Sequence, residues 1–185
     1  TWFQVQLDKK FLVGLYFGIS YLLKRIFFFI TVIGIFDTVF VLSQFITLGL
    51  VESVNKYDFT ASIHLTSPFI VPLKGFAYIS SVYLTILLTV ERYIVICYQA
   101  KAYLITKSKT KKYIVCIVGF SLVWNLPKFF IYEWISRNGN YEVLPTQFSR
   151  SYLFRNVYVP WGHGIVQFFI PMTILIVLNT CLVRK

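Results

Sequence analysis

Four stretches of this chain, Ile26 to Val51, Val71 to Cys97, Tyr113 to Ile131 and Trp161 to Val183, are almost unbroken apolar sequence. About 20 such residues in helical form cross the roughly 30 Å hydrocarbon layer of a bilayer. Lipid offers no hydrogen-bond partners, so each stretch must satisfy its own backbone, and within one segment only a helix does so. The expected fold class is therefore an all-α membrane protein with four full spans. Composition agrees, because 57% of the 185 residues are hydrophobic and only 14% charged, against roughly a quarter charged in soluble domains. A fifth run, Phe11 to Leu23, is shorter and is parted from the first full span only by Lys24 and Arg25. No hairpin turn fits there. The run is a truncated first helix, an interfacial helix or a mis-joined coding segment. The chain opens on Thr1, holds Met172 as its only methionine, and shows no signal peptide before the first apolar run. It is read as a fragment.

The net charge of +11 would suit nucleic acid if the basic residues shared an exposed face, but they sit in short clusters between apolar runs. Lys24 and Arg25 precede the first full span. Lys101, Lys107, Lys109, Lys111 and Lys112 fill the second connection, and Arg184 and Lys185 close the chain. Basic connections stay cytoplasmic. The other two connections hold Glu52, Lys56 and Asp58, and Glu133, Arg137, Glu142, Arg150 and Arg155, with no such excess. They are expected outside. Cys97, Cys116 and Cys181 lie in or beside apolar runs, so no extracellular disulfide framework is implied. No internal repeat, low-complexity linker or heptad pattern occurs. No hydrolytic, redox or metal constellation stands out, and His64 and His163 are expected to be surface groups.

Spacing inside the second full span says more than hydropathy. At 100° per residue Lys74, Tyr78, Ser81, Thr85 and Arg92 fall at about 0°, 40°, −20°, 20° and 0°. They form one polar stripe, which belongs in the bundle interior or along a water-filled cavity, while Val82, Leu84, Ile86 and Val90 meet lipid or neighbouring helices. The hydroxyls of Ser81 and Thr85 would also be explained by bonds to backbone carbonyls or between helices. Asp37 lies about 16 Å into the first full span from Ile26. A carboxylate at that depth calls for a cation, a proton or a cluster of hydrogen-bond donors. The ammonium of Lys74 calls for an anion, from the protein or from a ligand.

Ser81-Val82-Tyr83-Leu84-Thr85 followed by Thr89-Val90-Glu91-Arg92-Tyr93-Ile94-Val95-Ile96-Cys97 resembles the inner half of the third helix of a rhodopsin-like G-protein-coupled receptor, with Glu91-Arg92-Tyr93 at the (D/E)RY triplet. Ile35-Phe36-Asp37-Thr38 resembles the second-helix motif around that family's sodium-site aspartate, and Ser81 matches the serine of the same site. Asn125-Leu126-Pro127-Lys128-Phe129 and Pro171 with Leu178-Asn179-Thr180 resemble the fourth and fifth helices of FMRFamide-receptor-like neuropeptide receptors. The resemblance runs from about Lys24 to Lys185, and implies that residues 1–185 form one partial seven-helix receptor domain in the plasma membrane. It departs from the wider family at Ser67 and in the second outer loop, where both cysteines of the usual disulfide are missing, and at Gln99 and Asn179. Lys74 stands where amine receptors need an aspartate. Trp124 is too close to Pro127 to be the usual fourth-helix tryptophan.

What the resemblance implies is a two-state receptor with a peptide ligand in an outer crevice near Lys74 and Tyr78, and a heterotrimeric G protein at Glu91, Arg92 and Tyr93. Glu91 would pair with Arg92 at rest, and Pro171 would loosen its helix. No cofactor is implied beyond an allosteric Na+ ion at Asp37 and Ser81 in the full-length parent. Helices corresponding to the first, sixth and seventh are not recognised. The rival reading from another class is a small transporter or channel subunit, with Asp37 and Lys74 in an ion path; a partial gene product without function is a third. The topology is open to direct measurement. A cysteine placed at Ser108 should react with an impermeant thiol reagent only after the cells are permeabilised, and one at Asn138 should react on intact cells. The opposite labelling pattern would invert the assignment.

Overall fold

A computed structural model describes residues 2–52, 58–97, 107–137 and 140–184. Helix α1 runs Trp2–Glu52, α2 Asp58–Cys97 and α3 Lys107–Asn125, which tightens into a 3₁₀ turn at Leu126–Phe130. Strands β1, Tyr132–Arg137, and β2, Asn140–Pro145, follow, then the short helix α4, Gln147–Arg150. A wide π-helical segment, Leu153–Phe169, leads into α5, Ile170–Val183. Among the described residues four stretches are long and apolar enough to cross a membrane: Leu23–Leu48, Pro68–Cys97, Lys109–Phe130 and Leu153–Val183. The short run 11–23 is continuous with α1 through Lys24 and Arg25. Residues 98–106, with Gln99 and Lys101, lie outside the described set, as do Lys56 and Asn138; nothing is described of the side chains of His64 and Ser67.

Helix α2 is the element on which the bundle is assembled, since α1, α3 and α5 all pack against it. Its contact with α1 carries the polar stripe. Lys74 reaches Gln44 at 3.5 Å, Tyr78 packs on the Phe40 ring at 5.6 Å between centroids, and Ser81 donates to Asp37 at 2.5 Å. As the number rises along α2 its partner's number falls along α1, so the two helices are antiparallel and the stripe lies against one face of α1. Thr85 instead donates to the Ser81 carbonyl. Below the stripe Phe29, Leu84 and Ile114 form a small core shared by α1, α2 and α3. Leu84 and Ile86 are buried among neighbouring helices. Much of the remaining apolar surface, including Phe27, Val41, Phe45, Val115 and Val123, stays exposed, as a lipid-facing surface requires.

The sequence expectation of an all-helical chain misses one feature. The second outer connection is an antiparallel β-hairpin, with Tyr132 opposite Pro145 and Arg137 opposite Asn140. The signal was present in the chain: Asn138-Gly139 is the dipeptide most typical of a two-residue hairpin turn, and Val, Ile, Trp and Tyr flank it. Thr146 anchors the hairpin base, its backbone N–H donating to Ile131 and its hydroxyl to Phe130. The same hydroxyl caps α4 by accepting from the Ser149 backbone N–H. None of Cys97, Cys116 and Cys181 is in a disulfide.

Three prolines lie in the last two spans, Pro127, Pro160 and Pro171, and at Pro127 and Pro171 a tyrosine hydroxyl supplies the donor that the backbone ladder lacks. In the π-helical register a carbonyl accepts from the residue five ahead, as Ile165 does from Ile170. The next carbonyl, Val166, would accept from Pro171, which has no N–H. Tyr83 of α2 donates to it instead, at 2.9 Å. In the 3₁₀ turn the Trp124 carbonyl would look to Pro127, and Tyr158 donates to it at 2.5 Å. An aromatic ladder fixes these tyrosines: Tyr83 meets Phe120, Phe120 stacks on Trp124, and Trp124 packs on Tyr158. Leaving a carbonyl unbonded in an apolar span costs about 1–3 kcal/mol. Tyr83→Phe in the full-length protein should therefore lower thermal stability in detergent by that order, and an unchanged unfolding midpoint would show that Val166 needs no donor.

Candidate functional site

The polar stripe of α2 ends at two openings joined by a buried middle. At the inner end Glu91 is buried at the last turns of α2, and its carboxylate is the hub of a three-helix cluster. Arg25 of α1 forms a salt bridge to it at 2.6 Å, and Thr110 of α3 donates to the same oxygen at 2.7 Å. Arg25 also donates to the Thr110 hydroxyl. The expected pair between Glu91 and Arg92 is therefore not what the structure holds, because successive residues on a helix project about 100° apart. Glu91 points into the bundle and Arg92 is exposed. Both line a cavity of about 300 Å³ with Arg25, Phe29, Leu88 and Val95.

Arg25 and Thr110 were missed as site residues by sequence reasoning. Arg25 was counted only as a basic flank, and nothing in the pattern marks Thr110. The side chains of Arg25 and Glu91 are 11% and 10% exposed, so the pair is largely desolvated. Such a pair need not stabilise the fold by much, but removing one partner alone strands a buried charge and costs about 3–5 kcal/mol.

In the middle of the membrane Asp37 and Ser81 come together as the resemblance implied, with the Asp37 carboxylate otherwise exposed on α1. A carboxylate and a hydroxyl are oxygen ligands of the kind a hard cation takes, so Asp37 and Ser81 would be two of the residues holding the sodium ion that the resemblance implies. Here they are hydrogen-bonded directly to each other. Pro171 is buried as one of the first residues of α5, where the π-helical register gives way to the α-helical one and Tyr83 supplies the donor that Pro171 lacks.

Toward the outer side a cavity of about 430 Å³ opens between α1, α2, the turn after α3 and the π-helical segment. Lys74 and Tyr78 line it as expected, together with Lys128, His163 and Gln167. His163 was expected at the surface; it is half-buried instead, edge-on to Tyr158 with ring centroids 5.4 Å apart. The wide π-helical turns carry its ring inward. Lys128 went unmarked by spacing because it follows Pro127 in a 3₁₀ turn rather than sitting on a regular helical face.

A double-mutant cycle tests the inner cluster. Arg25→Met in the full-length protein should cost about 3 kcal/mol by thermal unfolding, while adding Glu91→Gln should recover most of that loss. Additive effects of the two changes would dissolve the cluster.

Comparison with known proteins now bears on this geometry. The family model for the seven-transmembrane receptors of the rhodopsin family matches residues 17–185. The chain is also 29% identical over 162 residues to a protein named FMRFamide receptor from Drosophila melanogaster. That match covers 80% of this chain and spans 29% of the relative's length. The family match favours a receptor over the transporter alternative. The chain belongs to the rhodopsin family of seven-transmembrane receptors.

Proposed function

We propose that this segment is part of a plasma-membrane receptor that binds a FMRFamide-like neuropeptide on its outer side and activates a heterotrimeric G protein on its inner side. The observation that carries the reading is the division of labour at Glu91-Arg92-Tyr93. Glu91 is buried and held by Arg25 and Thr110, while Arg92 projects unburied into the inner cavity. Its guanidinium keeps its charge and offers five donors in a fixed fork, suited to the backbone carbonyls or terminal carboxylate of an inserted protein segment. Tyr93 is half-buried beside it.

Support for a peptide ligand comes from the name of the Drosophila relative and from an outer cavity of a size that takes one or two side chains. Lys74 and Tyr78 are the crevice residues in this reading. Arg92 follows Lys74 by about 27 Å along α2, so the same helix meets ligand at one end and effector at the other. The ligand acts by binding one arrangement of the bundle better than the other. Asp37 and Ser81 tie α1 to α2 midway, where a bound Na+ ion would favour one arrangement. Pro171 at the change of helical register is where the last span can bend.

Three variants of the full-length receptor test this. Arg92→Ala should abolish nucleotide exchange on the G protein while leaving peptide binding nearly unchanged. Arg92→Lys should also couple poorly, because an ammonium lacks the planar fork; if Arg92 only reached lipid phosphates, that variant would behave as wild type. Glu91→Gln should raise basal exchange, since the cluster holding the inner end of α2 loses its charge. Normal exchange with Arg92→Ala would reject the assignment.

A further inference from the structure

Among the described residues two lysines and no acid line the outer cavity. Lys74 enters from α2 and Lys128 from the turn after α3, and both ammonium groups line the same space. Lys128 is only 8% exposed, although it lies near the end of a span where a lysine could reach headgroups. It has turned inward. Among the described residues no carboxylate lines the cavity, and neither lysine is in an ion pair. Asp37 is engaged by Ser81, Glu91 by Arg25, and Glu133 is exposed on the hairpin.

Two further polar groups face the same space without partners: the buried Nε2 of Gln167 and the buried Nδ1 of His163. Gln167 Nε2 is a donor, and His163 Nδ1 donates in one of its two neutral tautomers. The only polar contact of Lys74 is the long bond to the neutral Gln44 amide. Gly75 makes the arrangement sterically possible. A Cβ there would collide with Lys128 Nζ and with the Asn125 side chain, which is pinned by its own bond to Ser121. The chain thus keeps two unneutralised cations and two convergent nitrogen groups around an otherwise apolar hole lined by Phe40, Val71 and Phe154. Burying like charges together is costly unless an anion completes the set.

We propose that this cavity is a carboxylate subsite: Lys74 and Lys128 clamp one carboxylate of the ligand, with Gln167 and His163 donating to its oxygens. The proposal rests on the peptide-receptor reading for the source of the carboxylate, but the subsite itself rests on the cavity alone. A receptor acid from outside this chain is the competing source. Charge-assisted bonds from two lysines distinguish an acidic side chain from its amide, so selection for Glu over Gln at one ligand position follows.

The test uses the purified full-length receptor and two kinds of probe. Millimolar sodium glutarate, at constant ionic strength against sodium chloride, should raise the thermal unfolding midpoint of the wild type. It should not do so for Lys128→Met or for Lys74→Met, and Lys128→Arg should retain the effect. Lys74 is only partly buried, so Lys74→Met decides the matter if Lys128→Met does not fold. The second probe is the peptide Phe-Met-Arg-Phe-amide extended at its N-terminus by Glu or by Gln. The Glu peptide should be about tenfold more potent on the wild type, and the two should be equal on Lys74→Met. No stabilisation by glutarate in the wild type overturns the subsite, and points to a receptor acid already in place. Glutarate stabilisation that survives both Met variants overturns it as well. Stabilisation that needs both lysines, with neither peptide active, upholds the carboxylate subsite and instead removes the FMRFamide-like peptide as its source.

Discussion

The α1–α2 seam is the constraint on which the rest depends. A polar group in hydrocarbon must find its partner within the protein, and α2 carries five polar or charged side chains along one face. Three of them meet α1 at Gln44, Phe40 and Asp37, and the neighbouring Glu91 meets Arg25 beyond the stripe's inner end. An apolar α2 could slide or rotate against its neighbours with little penalty, because lipid tails are as apolar as leucine. The Asp37–Ser81 and Arg25–Glu91 bonds set one register. Once that register is set, Arg92 is left pointing out at the inner end and Lys74 in at the outer cavity.

The tyrosine hydroxyls solve a second problem of the same kind. Pro171 and Pro127 would each leave a carbonyl without a donor, and water cannot reach it in the membrane interior. Tyr83 and Tyr158 satisfy the Val166 and Trp124 carbonyls from neighbouring elements, so a local defect in one helix becomes a bond between helices. The aromatic ladder from Tyr83 through Phe120 and Trp124 to Tyr158 holds those hydroxyls in place. The last span can then keep a wide helical register next to an α-helical one without stranding its backbone, and that change of register lies beside the outer cavity.

At the inner end the acid of the ERY triplet is secured by a residue far away in sequence. Arg25 and Thr110 together hold Glu91 at the junction of α1, α2 and α3. This separates two tasks that adjacent residues could otherwise share, with Glu91 stabilising the helix junction and Arg92 presenting its donors. The angle between successive helical residues makes the separation possible, since Glu91 turns to the buried wall of the inner cavity and Arg92 to its exposed side.

The sequence alone determined the membrane class, the number of spans, the inward polar face of α2 from Lys74 to Thr85, and the receptor resemblance, which the family match bears out and which implied the meeting of Asp37 with Ser81. Each was legible because it rests on local pattern: run length against bilayer thickness, residues recurring at helical period, a triplet closing an apolar helix. Tertiary structure decided that Glu91 would take Arg25 rather than Arg92, that Lys128 and His163 would join Lys74 in one cavity, and that Tyr83 would serve Val166. Those partners lie dozens of residues apart, and Lys128, His163 and Val166 lie in a turn or a π-helical stretch where spacing does not say which way a side chain points. The hairpin lies between these cases, its turn dipeptide plain in the chain within a connection to which the span pattern assigns no element. Only packing around Gly75, where no side chain intervenes, brings the Lys128 ammonium to the cavity wall, because a close approach of two elements is a property of their surfaces together and not of either sequence alone.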